Sequence, residues 1–189
     1  MPPGPGDLHV LTQAILDAAI EGLDTIPSYE PDLVGCPDRH FVSPGIPVND
    51  FVAADCCSQL AIWVQPSQEL GTTPGGLDAG RRSARYAWKN DVHFSLAISR
   101  CIPVGSSSAT AVFTPPTAEA LTEASRQHHA DHWSLWNHMH NAVNAEDIMS
   151  LCDNVTILTM VPAVPAGGCS GWVMSLAAAL DGYSEPVGS

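Results

Sequence analysis

Residues 91–103 read DVHFSLAISRCIP and carry an apolar side chain at every second position from Val92 to Ile98. Successive side chains of a β-strand point to opposite faces of a sheet, so this alternation is typical of a strand with one face on a core. The segment predicts a strand over residues 91–102. The chain is therefore expected to be a globular protein that contains a sheet.

Other segments predict three more strands and two helices. Strands are predicted near residues 53–65, 154–162 and 169–180, which show the same two-residue patterning. Residues 8–26 and 117–143 instead carry apolar side chains at helical spacing. The order of the elements is helix, strand, strand, helix, strand, strand.

Local sequence signals mark both ends of the first predicted helix and the start of the second. Asp7 is well placed as the N-cap of the first helix, and Pro27 is expected to end it. Thr117 is the predicted N-cap of the second helix, with Glu119 and Glu123 near its positive N-terminal end.

Strands that occur in neighbouring pairs favour an α+β fold. We expect a mostly antiparallel sheet of four or more strands packed on two main helices. Residues 1–189 are interpreted as a single domain with an irregular N-terminal tail and a short C-terminal tail. Long loops are expected at about 27–50 and 66–89, where Pro and Gly are frequent.

The chain combines a strong acidic excess with few charges overall. Among 189 residues there are 20 Asp and Glu against 7 Lys and Arg, a net charge of −13, and charged residues make up 14%. Nucleic-acid binding relies on Lys and Arg to neutralise phosphates, so the composition argues against it. The low charge content favours a surface that another subunit covers, although a Pro- and Ser-rich surface would produce the same value. The sequence contains no run of about 18 apolar residues, so no membrane span is predicted.

The cysteines are interpreted through the expected compartment. The N-terminal MPPGPGD lacks the basic and apolar regions of a signal peptide, which predicts a cytoplasmic protein. The cytoplasm is reducing, so buried thiols are expected rather than a disulfide framework. The six cysteines are Cys36, Cys56, Cys57, Cys101, Cys152 and Cys169.

The second predicted helix is rich in histidine. His128 and His132 are four residues apart and share a helix face, as in zinc-binding helices. Asp131 is a candidate third ligand, but it points about 100° away from His132. The chain contains no Cys-x-x-Cys pair, and no glutamate lies beside the first histidine, so the metal site is incomplete. Exposed or half-buried histidines are therefore the favoured interpretation. We predict no catalytic residue, no metal and no cofactor.

Four of the seven basic residues lie close together, at Arg81, Arg82, Arg85 and Lys89. In an acidic chain such a cluster is complementary to an acidic neighbouring copy. We therefore expect these residues on a loop at a subunit contact and not on nucleic acid.

Three cysteine-containing segments together resemble a family of structural proteins from tailed phages and prophages of actinobacteria. The segments are Asp55-Cys56-Cys57-Ser58-Gln59-Leu60, Ser99-Arg100-Cys101-Ile102-Pro103-Val104 and Gly167-Gly168-Cys169-Ser170-Gly171, with Leu135-Trp136 between the second and third. The resemblance covers roughly residues 50–180, and its specificity lies in the order and spacing of the motifs. Such proteins are encoded among the head–tail joining and tail genes.

Within that group, the order of elements is similar to the tail terminator fold. The resemblance implies a virion protein at the head–tail junction, which forms a homo-oligomeric ring, a hexamer, that caps the tail tube. It implies contacts with the major tail tube protein and with neck or head-completion proteins, while DNA passes through the lumen without specific binding. The alternatives are another neck component, a head–tail adaptor or stopper, and a His-helix metalloprotein or hydrolase.

Overall fold

The computed structural model describes residues 5–45, 58–65, 91–107, 113–166 and 168–179. The helices are α1 (Pro5–Asp24), α2 (Ile26–Tyr29), α3 (Ala118–Ala142) and α4 (Glu146–Met149). The strands are β1 (His40–Val42), β2 (Gln59–Val64), β3 (Asp91–Cys101), β4 (Ser106–Ser107), β5 (Phe113–Thr114), β6 (Asn154–Ala166) and β7 (Cys169–Ala179).

The main sheet has five strands in the order β1-β2-β3-β7-β6. The pairs β2–β3, β3–β7 and β7–β6 are antiparallel, and β1 pairs with β2 in parallel. β4 and β5 form a separate antiparallel pair. The predicted α+β fold, a mostly antiparallel sheet packed on two main helices, is confirmed.

One face of the sheet forms the core with α1 and α3. Phe94, Leu96 and Ile98 of β3 are fully buried, as the alternation in residues 91–103 predicts. They belong to one hydrophobic cluster with side chains of both helices, including Leu11 of α1 and Leu135 of α3. Burial of apolar side chains on one strand face and one stripe of each helix is what stabilises this layered arrangement.

The first helix differs from its prediction at both ends. α1 begins at Pro5, so Asp7 lies inside the helix and the prediction of Asp7 as the N-cap is wrong. α1 ends at Asp24, before Pro27, so the prediction that Pro27 ends the first helix is also wrong. Pro27 lies in the first turn of α2. The first turn of a helix tolerates proline, since its backbone N–H would have no intrahelical partner there.

The N-terminus of α3 agrees with the sequence. The Thr117 hydroxyl accepts a hydrogen bond from the backbone N–H of Ala120 at 3.2 Å, and Glu119 lies in the first turn. Both features stabilise a helix start, because unpaired N–H groups and the helix dipole favour an oxygen acceptor and a negative charge there.

Several strands have bounds that the patterning did not predict. β1 and all of α2 except its first residue lie within residues 27–50, which were expected to form an irregular connection. β6 continues to Ala166, past the predicted end at residue 162. β2 covers 59–64 of the predicted strand 53–65, and residues 53–57 lie outside the described part of the chain.

Candidate functional site

The described parts of the three cysteine-containing motifs lie next to one another at one end of the sheet. The end of β3 pairs with the beginning of β2 on one side and with the beginning of β7 on the other. The residue pairs are Gln59 with Ser99, Arg100 with Ser170, and Cys101 with Cys169. Motifs about 40 to 70 residues apart in the sequence therefore form one local structure, which we take as the candidate site.

Arg100 forms a buried ion pair with Asp131 of α3. Its Nε donates to Asp131 Oδ2 at 3.0 Å, and a terminal guanidinium nitrogen donates to Asp131 Oδ1 at 2.8 Å. The side chains are 6% and 0% exposed. Two parallel hydrogen bonds of this kind fix both partners in orientation as well as in distance.

The ion pair extends to the segment between α2 and β1. The same Arg100 nitrogen donates to the carbonyl oxygen of Gly35 at 2.6 Å. Gln127 donates to Asp131 Oδ1 and to the Val34 carbonyl, both at 3.0 Å, and accepts from the Val34 N–H at 3.0 Å. This network connects β3, α3 and the chain around Val34, so the motif residue Arg100 has a structural role.

The cysteines differ from the expectation of six free thiols. Cys169 is buried and disulfide-bonded, so the expectation is wrong for Cys169. Cys36, Cys101 and Cys152 are free, and Cys101 is exposed. Burial raises the pKa of the Cys36 thiol to about 12, with Asp24 as a further cause, and burial also raises the pKa of Cys152. Since the thiolate is the reactive form, Cys36 and Cys152 are poor nucleophiles.

The backbone geometry explains why two residues of the third motif are glycines. Gly168 has a φ of 82°, a conformation that L side chains rarely adopt, and its carbonyl accepts from the Ile102 N–H at 2.8 Å. Gly171 lies against β3 so closely that a Cβ atom would run into the carbonyl oxygen of Ile98. These glycines let the start of β7 approach β3.

A second cluster lies where α3 meets β7 and consists of histidine and tryptophan rings. His132 stacks on Trp136 with ring centroids 6.2 Å apart and contacts Trp172 of β7 at 4.6 Å. His140 meets Trp136 edge-on at 4.4 Å. The Trp172 indole N–H donates to the His128 carbonyl at 2.9 Å. The helix face that suggested a zinc site therefore packs against the sheet.

The candidate zinc ligands do not form a ligand set. Asp131 is engaged by Arg100 and Gln127, and among the described residues no group of three His, Cys, Asp or Glu is arranged to hold a metal ion. Burial lowers the pKa of His128, with Arg100 and His129 acting in the same direction and Asp131 opposing them. The His128 ring is consequently neutral over a wider pH range than an exposed histidine.

Several predicted site residues lie outside the described part of the chain. They are Arg81, Arg82, Arg85, Lys89, Asp55, Cys56 and Cys57. Of the motif residues that the structure describes, it brings together Gln59, Arg100, Cys101, Gly168 and Cys169. Sequence reasoning missed Gln127 and the packing of Trp172 against His132. The spacing of Gln127 and Asp131, one helical turn apart, is the signal for their hydrogen bond.

Comparison with protein families and with characterised proteins finds no match for this chain. Within the described residues, no helix is long and apolar enough to cross a membrane.

Proposed function

We propose that this chain is a structural virion protein that forms a ring at the head–tail junction of a tailed phage. In this proposal it is the tail terminator, which caps the tail tube and docks it to the neck. The proposed partners are further copies of the chain, the major tail tube protein and the neck proteins.

The observation that carries the proposal is the meeting of the three motifs at one end of the sheet. The resemblance to phage proteins depends on the order and spacing of short motifs, each of which is weak alone. Cys101 and Cys169 are direct cross-strand partners, and Gln59 pairs with Ser99 two residues before Cys101. A shared spatial position is a physical reason for such motifs to occur together in one sequence.

The chemistry of the described residues also supports a structural role. Arg100 of the second motif and Asp131 of α3 neutralise each other in the interior. The thiols of Cys36 and Cys152 have raised pKa values. The described part of the candidate site therefore forms a packed junction between elements, in which the Cys101 thiol is free and exposed.

The distribution of charge suits a conduit through which DNA passes without being held. The basic residues in the described ranges are Arg39, Arg100 and Arg126. Arg100 forms a buried ion pair with Asp131, and Arg126 forms ion pairs with Glu30 at 2.8 Å and Glu123 at 2.9 Å. A surface on which carboxylates outnumber free cations repels phosphate, and a wall of this kind lets DNA slide.

Deletion of the gene in the phage that encodes it tests the proposal. Loss of a terminator is expected to leave filled heads and separate tails of irregular, often excessive length, as seen by electron microscopy of the lysate. Tails of normal length that fail to join, together with leaky heads, would assign the chain to the adaptor or stopper role instead. Intact infectious virions would contradict a structural role.

A further inference from the structure

We propose that strand β6 is the surface by which one copy of this chain contacts a second copy. The proposal rests on the proposed ring and names one side of the contact between neighbours. We define the β6 strip as the exposed side chains Thr156, Leu158, Thr159 and Val161.

β6 is a long strand at the edge of the sheet. Its 13 residues pair with β7 on one side, and no other strand in the described ranges pairs with its other side. The opposite edge is β1, which has three residues. A short edge strand offers few backbone groups for pairing, whereas a long one offers a template for another chain.

The β6 strip contains two exposed apolar side chains. Val161 is 50% exposed and Leu158 is 39% exposed. Val161 pairs with Val173, while the adjacent Met160 pairs with the buried Met174, so Val161 lies on the sheet face away from the helices. The strip therefore combines an edge at which no strand of the described ranges pairs with exposed side chains, including Val161 on the face away from the helices.

β6 lacks the charges that usually protect an edge strand. Natural edge strands are blunted by Lys and other charged side chains, by proline and by bulges. Neither β6 nor the adjacent β7 contains a charged residue, although the chain has 27 of them (20 acidic and 7 basic). Pro162, Pro165 and a register shift between Ala163 and Ala166 lie in the second part of β6. Residues 154–161 contain no proline and one register shift, between Ile157 and Thr159.

The net charge of the chain indicates what covers this surface. Two copies with a net charge of −13 repel each other wherever carboxylates face one another. A strand pair without carboxylates is where such copies can approach without that cost. A basic partner would instead gain most from the acidic helices and connecting segments, so the charge distribution favours a second copy at β6.

The ring determines the symmetry of the contact. A closed ring requires a heterologous contact, in which the β6 strip meets a different surface of the next copy. A contact between two β6 strips related by a twofold axis would stop at a dimer. In either case a stable contact is expected to bury on the order of 1,000 Å² or more in total.

Sedimentation velocity of purified full-length protein tests the proposal with three variants. Leu158→Glu and Val161→Glu place a carboxylate in the strip, and Leu121→Glu is the matched control, because Leu121 on α3 is 49% exposed. The wild type and Leu121→Glu are expected to sediment as the same oligomer. The two strip variants are expected to shift to monomer, with an unchanged circular dichroism spectrum because both side chains are exposed.

The other outcomes contradict either the β6 contact or the ring. Strip variants that sediment like the wild type, or a control that dissociates equally, would overturn the β6 contact and leave the ring to be judged by the deletion phenotype. A wild-type dimer dissociated by the strip variants would keep the β6 contact and contradict the ring. If the strip variants fail to fold, hydrogen exchange of the wild type decides: β6 amides must become more protected as concentration rises, and a lack of such protection overturns the proposal.

Discussion

The Arg100–Asp131 ion pair is the main polar connection between the sheet and α3. Burial of two charges is costly, and their mutual attraction offsets that cost when the geometry is good and the remaining hydrogen-bonding groups are satisfied. Here the guanidinium also reaches the Gly35 carbonyl, and the carboxylate also accepts from Gln127. Loss of one partner would leave the other charged and buried.

Arg100→Met is therefore expected to destabilise the fold by about 3–5 kcal/mol, because Asp131 would remain buried without its counter-charge. The measurement is the free energy of unfolding from urea titration. The double variant Arg100→Met, Asp131→Leu is expected to be more stable than Arg100→Met alone. A double variant that loses the sum of both single effects would contradict the coupling.

His128 is expected to make stability depend on pH. The folded-state pKa of this ring lies below its usual value of 6.5, chiefly through burial. Above pH 6.5 both the folded and the unfolded ring are neutral, so this contribution to stability is fully present. As the pH falls below that value, the unfolded chain binds the proton first, and stability is lost until the folded ring is protonated too.

Urea unfolding between pH 8 and pH 5 measures this effect. His128→Gln is expected to lose less stability on acidification than the wild type, because it removes the half-buried titrating ring. His9→Gln is the control, since His9 is an exposed histidine on α1. An acid dependence identical in the wild type and His128→Gln would show that other groups cause it.

At the scale of the secondary-structure elements, β3 and β7 approach each other closely at Gly171. A Cβ atom at this residue meets the backbone carbonyl of Ile98, which cannot rotate away as a side chain can. Gly171→Ala is expected to cost about 1–3 kcal/mol of unfolding free energy, as overpacking does. Gly45→Ala, with open space around the added Cβ, is expected to stay within about 0.5 kcal/mol. Equal thermal stability of the two variants would contradict the account.

Local patterning predicted the long elements and missed those that depend on tertiary context. The alternation from Val92 to Ile98 and the Thr117 cap are local signals, and both agree with the structure. β1 has three residues and forms by pairing with β2, so its own sequence carries little signal. β6 runs through Pro162 because an edge strand tolerates a residue without an N–H group.

The sequence analysis named Arg100 and Asp131 but did not predict the contact between them. Arg100 appeared as part of a motif, and Asp131 appeared as a weak metal ligand. Their pairing depends on how α3 lies across β3, which brings together residues 31 positions apart. The sequence contains no periodic signal for a contact of that kind, so only the packed layers reveal it.

For the entire chain, the distribution of charge has consequences for assembly. The acidic residues of the described ranges lie on the helices, on the connecting segments and at Asp91 of β3, while β6 and β7 carry no charge. Four of the seven basic residues lie close together in the sequence, at Arg81, Arg82, Arg85 and Lys89, and are the predicted contacts for such acidic surfaces. Their role at a subunit contact stays a prediction from the sequence.

Reversal of two of these charges tests that prediction. Arg81→Glu, Arg82→Glu is expected to weaken assembly, because a contact with an acidic neighbour becomes repulsive. The loss should be largest at low ionic strength and decrease as salt screens the charges. Sedimentation at several salt concentrations measures it. Unchanged assembly together with a defect in DNA passage or DNA binding would contradict the subunit-contact role.

Negative-stain electron microscopy of the purified protein tests the ring most directly. Closed particles of uniform diameter with a stain-filled central hole are expected for the proposed ring, and sixfold averages are expected for the proposed hexamer. Particles without a central hole, open filaments or monomers would contradict the ring.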